Sequence, residues 1–212
     1  MPLPVPPALK PRKTPAQRRA RVTVDAIYEA TIQVLLRDGM AGLTTTRVAA
    51  RAGVSVGTLY QYFPHKQALI HALNARYLDL LASRVEDVAA AQAGQPIAQM
   101  VGALIDTYWQ AKTDRAEVTR ALYRSVVELD NEALLQGFAA RVDAATTAML
   151  ATAPDVSIAD AAAVNLTLTS VIYGTVRNAF ERGLSPGETD TLRRSLHAMC
   201  RAYLETLPQR VP

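Results

Sequence analysis

A single cysteine, Cys200, stands among the 212 residues, so no intramolecular disulfide can form, which suits a reducing compartment such as the cytosol. No apolar run reaches the length of about 18 residues that a membrane-spanning helix needs. The first basic stretch is followed by no apolar segment of the secretory type. A cytoplasmic protein without a membrane partner is expected. Histidine is scarce and scattered: His65 and His71 lie six residues apart, off a common helical face, and His197 is remote. Glycine-rich phosphate loops, nucleophile elbows and carboxylate–histidine clusters with metal spacing are all missing. Arg194 and Arg201 near Cys200 would lower a thiol pKa, but a cysteine in a helical run is more often packed and inert. No catalytic residue, metal or cofactor is expected, and a helical enzyme is the least favoured reading.

Half of the chain is hydrophobic and 20% is charged, enough apolar material for a substantial core. The net charge of +4 is unevenly spread. Residues 1–66 carry ten Lys or Arg against Asp25, Glu29 and Asp38, a balance of +7; residues 67–212 carry thirteen against sixteen, a balance of −3. A small basic head on a mildly acidic body fits a polyanion-binding protein, although charge alone does not separate DNA, RNA and anionic lipid. Residues 1–21 combine six prolines with Lys10, Arg12, Lys13, Arg18, Arg19 and Arg21 and no acid, which predicts a flexible basic arm. Such an arm either touches DNA beside a reading helix or is a solvated tail.

From Thr23 onward the apolar spacing is helical. Ile27, Ala30, Val34 and Leu35 line a first helix that stops near Asp38-Gly39. Short helices are expected over about 45–52 and 56–62. A long one follows Pro64 with Leu69, Leu73, Tyr77, Leu80 and Val88 on one face. Four or five more follow. Their marks are Ile97 to Tyr108; Val118, Leu122, Ser125, Val126 and Leu129; Leu134, Leu135, Phe138, Val142, Ala145 and Met149; residues 158–182; and, after Pro186, Leu192, Leu196, Met199, Tyr203 and Leu207. No sustained strand alternation appears. The expectation is an all-α fold of about nine helices, with the arm at 1–21, a three-helix DNA-binding domain at 22–66 and a helical bundle at 67–212.

The function is concentrated in residues 43–63, LTTTRVAARAGVSVGTLYQYF. Thr44 and Ser55 can cap two short helices. Val48, Ala49 and Ala52 make a narrow apolar face, and Gly53 suits the sharp turn between the helices. Val54 and Leu59 can plug the angle. Phe63 reads as core, whereas Tyr60 and Tyr62 leave at least one ring on the outer face of a short helix. Two short helices joined by a glycine-containing turn are the helix-turn-helix geometry, with the second helix shaped for a major groove.

Gly42, Thr44, Val48-Ala49, Ala52-Gly53-Val54-Ser55, Gly57-Thr58-Leu59-Tyr60, Tyr62-Phe63, Lys66 and Leu69 together resemble the DNA-binding domain of the TetR family of bacterial repressors. The resemblance implies that Thr44 and Thr45 donate to phosphates and that Thr58, Tyr60 and Lys66 clasp the backbone. It implies that Val56, Gly57, Gln61 and Tyr62 face the groove, with Ser55 at the helix start. Gln61 can pair with adenine and Val56 can pack on a thymine methyl. Thr46 occupies a position where some members read bases with a longer cation. Position 56, often basic or polar in the family, is apolar here, so more reliance on the arm is expected. The resemblance also implies a homodimer through the last two helices (about 158–182 and 186–207). It implies a ligand cavity, an inverted-repeat operator with recognition helices roughly 34 Å apart, and release of DNA on ligand binding.

Within the bundle, Asn165, Thr169, Tyr173 and Arg177 recur every four residues and so share a face. Tyr108, Trp109 and Tyr123 offer aromatic walls with polar tips. Tyr108, Trp109, Tyr123, Asn165, Thr169 and Tyr173 are therefore candidate contacts for an unidentified small-molecule effector, mostly apolar or aromatic in character. A solvent face, a dimer face or plain packing would use the same pattern. A regulator without effector sensing, constitutive or architectural, is the main rival.

Overall fold

The computed structural model describes residues 9–12, 18–119, 121–122 and 131–210. Its helices are α1 (Arg18–Gly42), α2 (Thr45–Ala52), α3 (Val56–Tyr62), α4 (Lys66–Gln92), α5 (Ile97–Thr113), α6 (Glu132–Leu150), α7 (Ala161–Arg182) and α8 (Pro186–Glu205). Residues 116–119 and 121–122 are also helical. No strand occurs among the described residues; one isolated bridge pairs Val156 with Gln209. The fold is all-α.

Two compact units emerge, residues 1–78 with 117–137 and residues 79–116 with 138–212. The first thus extends past residue 66 along α4, because Leu69, Ile70 and Leu73 pack with the short helices. It also takes in Val118 and Leu122. Its core is Ile27, Val34, Leu35, Leu43, Val48, Ala49, Leu59 and Phe63. The second unit is built on Leu81, Val85, Met100, Leu104, Ile105, Trp109, Val142, Leu150, Leu168, Ile172, Val176, Leu196, Cys200 and Leu204.

Several boundaries differ from the sequence expectation. The first helix starts at Arg18, within the expected arm, since the last proline of that stretch is Pro15. Arg18, Arg19 and Arg21 therefore ride on α1, while the arm residues 1–8 and 13–17 lie outside the described residues. At its other end α1 kinks at Gly39 (φ 68°, ψ −177°) and resumes to Gly42. Leu80, Leu135 and Met199, each placed on an apolar face by spacing, are exposed at 56, 44 and 59%. In the second unit the buried face of α4 is Leu81, Ala82, Val85 and Ala89, and that of α8 is Leu196, Cys200 and Leu204. An apolar stripe several residues wide leaves the choice between neighbouring positions to the packing partner, so spacing misplaced these three. Ser125, Val126 and Leu129 lie outside the described residues.

Candidate nucleic-acid interface

Local chemistry sets the two short helices. The Thr44 hydroxyl accepts from the Arg47 amide at 3.2 Å, opening α2. At the end of α2, Gly53 takes φ 68° and ψ 29°, and its N–H donates back to the carbonyls of Ala49 and Ala50. That left-handed cap is cheap only without a side chain. The Val54 amide adds a bond to Ala49 O at 3.0 Å. The Ser55 hydroxyl then accepts from the Thr58 amide at 2.9 Å and lies 2.8 Å from the Thr58 hydroxyl, opening α3. Leu59 and Phe63 are wholly buried under α3, and the Phe63 ring meets Tyr28 at 5.6 Å. Tyr60 is 39% exposed and Tyr62 half-buried.

The eleven candidate DNA contacts all lie in the first unit, exposed or half-buried. Thr44, Thr45 and Thr46 stand at the start of α2, and Ser55, Val56, Gly57, Thr58, Tyr60, Gln61 and Tyr62 are on or just before α3. The Tyr60 and Thr45 hydroxyls meet at 3.1 Å, tying the two groups together. A Cβ on Gly57 would meet only the Ser55 hydroxyl at 3.7 Å, so the backbone there is open to close approach. Lys66 is half-buried and its Nζ donates to Met40 O at 3.3 Å, spending one of three donors on the fold.

The cations of α2 stay exposed but are bonded within the protein. The Arg47 guanidinium donates to Gly42 O at 2.9 Å and sits 3.4 Å from Asp38. Arg51 Nε donates to Gln33 Oε1 at 2.6 Å. The outer surface of α3 is hydroxyl, amide and aromatic, while α2 adds two exposed, internally bonded guanidinium groups. One described part of the arm reaches this surface: the Arg12 amide donates to Tyr62 O at 2.8 Å. Sequence reasoning gave Arg12 no such role; a contact spanning fifty positions leaves no local signal.

The effector candidates lie in the second unit, except Tyr123, which is outside the described residues. Tyr108 and Trp109 are buried on α5. The Tyr108 ring stacks at 4.3 Å on Tyr173 of α7, with Phe138 at 6.3 Å from Tyr173. Asn165 and Thr169 are buried. Asn165 Nδ2 donates to Asp143 Oδ1 at 3.2 Å, while its Oδ1 and the Tyr173 hydroxyl have no protein partner. Burial, and secondarily Asp143, drive the Tyr173 phenol above its usual range. The Thr169 hydroxyl is used within α7, donating to Asn165 O at 2.8 Å. Arg177 leaves the stripe: it is exposed and paired with Glu181. Four-residue steps on a 3.6-residue helix drift by about 40° each, so the fourth member has turned off the buried face.

Lys112 was missed by sequence reasoning. It is 2% exposed, its Nζ lies 5.5 Å from the Tyr108 ring centre, and burial lowers its pKa to about 7. Its one sequence signal is the four-residue step from Tyr108. Cys200 is packed, and burial pushes its thiol up. A separate open groove of about 470 Å³ lies along the end of α7 and the start of α8, lined by Asn178, Arg182, Leu184, Glu188, Thr191 and Leu192 among others.

Comparison with known proteins agrees with this architecture over most of the chain. KstR, a helix-turn-helix transcriptional repressor of Mycolicibacterium smegmatis, is 31% identical over 118 residues, 56% of this chain and 55% of that protein. The nucleoid occlusion factor SlmA of Haemophilus ducreyi is 32% identical over 125 residues, 58% of each chain. The chain thus spans a little over half the length of these curated relatives. A solved structure from Mesorhizobium loti, described as a TetR-family transcriptional regulator, superposes with a TM-score of 0.71 at 17% identity, covering 91% of this chain and 99% of that one. Residues 19–73 match the model of bacterial regulatory proteins of the tetR family, and residues 96–204 match the tetracyclin repressor-like C-terminal domain. With the capped helix pair at one end and the matching bundle at the other, the chain belongs to the TetR family of bacterial regulatory proteins.

Proposed function

We propose that this chain is a cytoplasmic, non-enzymatic transcriptional repressor that grips an inverted-repeat operator as a homodimer and releases it on binding a small-molecule effector. The observation that carries the reading is the α2–α3 pair. Both helices are capped by side chains at their starts, and they present Thr44, Thr45, Thr46, Ser55, Val56, Gly57, Thr58, Tyr60, Gln61 and Tyr62 to solvent, at least in part, with Lys66 following at the start of α4. A capped face of this kind, polar and aromatic along α3, suits reading base edges, with hydroxyls set for phosphates. Leu166 and Met199, 64 and 59% exposed on α7 and α8, support a dimer face on the last two helices. The underpaired Asn165 Oδ1 and Tyr173 hydroxyl, with the Tyr108 ring against Tyr173, support an effector with an apolar body and at least one hydrogen-bonding group. No described helix is long and apolar enough to cross a membrane.

The test is selection of the purified protein against random duplex DNA. Recovery of an inverted repeat is expected, and Gln61→Ala should relax discrimination at one base step by about 1–3 kcal/mol. Enrichment of no sequence would remove the repressor reading. Similarity to a relative named for nucleoid occlusion rather than repression keeps a second reading, a DNA-binding dimer without effector sensing, beside this one. A small molecule that dissociates the selected duplex would dismiss it.

A further inference from the structure

Among the described residues, the cations that α2 and Lys66 place around α3 are exposed or half-buried but already hydrogen-bonded within the protein. The helix itself, VGTLYQY, has none. Arg47 and Arg51 of α2 are turned onto Gly42, Asp38 and Gln33, and Lys66 is engaged by Met40 O. Duplex DNA is nonetheless bound chiefly through its phosphates. Against this stands the placement of residues 9–12. The Arg12 amide donates to Tyr62 O at 2.8 Å and the Arg12 guanidinium reaches Tyr60 O at 3.4 Å. Both acceptors are late carbonyls of α3. The segment is therefore fastened to the trailing end of the very helix that presents Gln61, and a cation there also suits the helix dipole. Tyr60 in turn meets Thr45, so segment, recognition helix and α2 form one hydrogen-bonded chain. Lys10 and Arg12 are exposed, and two residues of extended chain separate them by at most about 7 Å.

Resting on the reading of this chain as a DNA-binding regulator, we infer that residues 9–12 are a third element of its DNA interface, in which Arg12 is a positioning residue. The Arg12 backbone pins the segment to α3, and Lys10 supplies a phosphate contact flanking the bases that α3 reads. The division of labour follows from geometry: the Arg12 N–H is the tether, and the Lys10 ammonium is the charge it delivers.

The experiment measures affinity for a duplex recovered by the selection above, as a function of salt, for the full chain and for Lys10→Ala, Arg12→Ala, Arg12→Pro and the Lys10→Ala/Arg12→Pro double variant. Circular dichroism and melting of each variant serve as the folding control. Lys10→Ala should reduce the slope of log K against log salt by about 0.9 per protomer, so that raising salt from about 50 to 200 mM weakens the wild type about 3- to 4-fold more per protomer than the variant. Arg12→Pro, which deletes the donor to Tyr62, should abolish most of the Lys10 effect, making the two substitutions non-additive. Arg12→Ala keeps the backbone donor and should leave the Lys10 effect largely intact. An unchanged slope in Lys10→Ala, with Gln61→Ala still relaxing discrimination, overturns the inference and leaves the proposed function standing. Strict additivity of Lys10→Ala and Arg12→Pro overturns the tether. Absence of duplex binding by the full chain overturns both readings together.

Discussion

The helix-turn-helix segment and the polar stripe of α7 handle their polar groups in opposite ways. Around residues 44–62, caps and turns are satisfied within a few positions: Thr44 by Arg47, Ser55 by Thr58, Gly53 by Ala49 and Ala50. The side chains proposed to contact DNA are left exposed or half-buried. Along α7, Asn165 and Tyr173 are met from far away, Asn165 by Asp143 and the Tyr173 ring by Tyr108, and two buried oxygens are left unmatched by protein, although Thr169 bonds locally and Arg177 turns out to Glu181. Each unmatched buried group costs about 1–3 kcal/mol. A surface that docks against an external polymer gains from being finished beforehand. An interior that receives a small molecule gains from polar groups kept in reserve.

The strongest way to break this contrast is to damage both regions equally. Leu59 under α3 and Ile172 on α7 are both fully buried. Truncation of either to Ala should cost roughly 2–5 kcal/mol in denaturant-induced unfolding. Only Leu59→Ala should also weaken duplex binding per folded molecule, because Leu59 seats the helix that carries Gln61. Equal losses of DNA affinity at matched fraction folded would erase the distinction.

A second test uses protons. Burial lowers Lys112 to about 7 from an ordinary value of 10.5. Between those two values the unfolded chain holds a proton that the folded protein lacks, so stability rises with pH across that window and the burden is full below it. From about pH 7 to pH 10, wild type should gain on Lys112→Met by a few kcal/mol in parallel denaturant titrations. A flat difference would mean that Lys112 stays protonated in its buried setting.

The same contrast explains what was legible from sequence. The bounds of α2 and α3, their caps and the turn glycine follow from residues at most five apart, and local chemistry writes itself into local sequence. Phe63 is core, as the sequence reads, and of Tyr60 and Tyr62, at least one of which spacing places outward, Tyr60 is the more exposed. Illegible were features set by distant partners. Lys112 lies beneath a ring at helical spacing but owes its burial to the assembled core. Arg12 acquires its role from carbonyls 48 and 50 positions later. Leu80, Leu135 and Met199 are apolar yet exposed, since the stripe's exact edge is drawn by what packs against it.

The smallest test compares two caps. Ser55 opens α3 and Asp160 opens α7, each accepting one backbone N–H at 2.9 Å. Substitution of either by Ala should cost about 1 kcal/mol, within a usual range of roughly 0.5–2 kcal/mol. Asp160 adds a carboxylate at the positive end of its helix, so the cost of Asp160→Ala should shrink with added salt, whereas that of Ser55→Ala should not. The more telling readout is DNA affinity. Ser55 also meets the Thr58 hydroxyl and stands at the leading end of α3, so its loss frays the residues proposed to face the groove. Asp160 caps a 22-residue helix of the other unit, whose remaining turns hold it in place. Ser55→Ala should therefore weaken duplex binding measurably while Asp160→Ala leaves it intact. A cap lost at α7 that weakened DNA binding as much would show the bundle's interior to be as tightly finished, for this purpose, as the reading head.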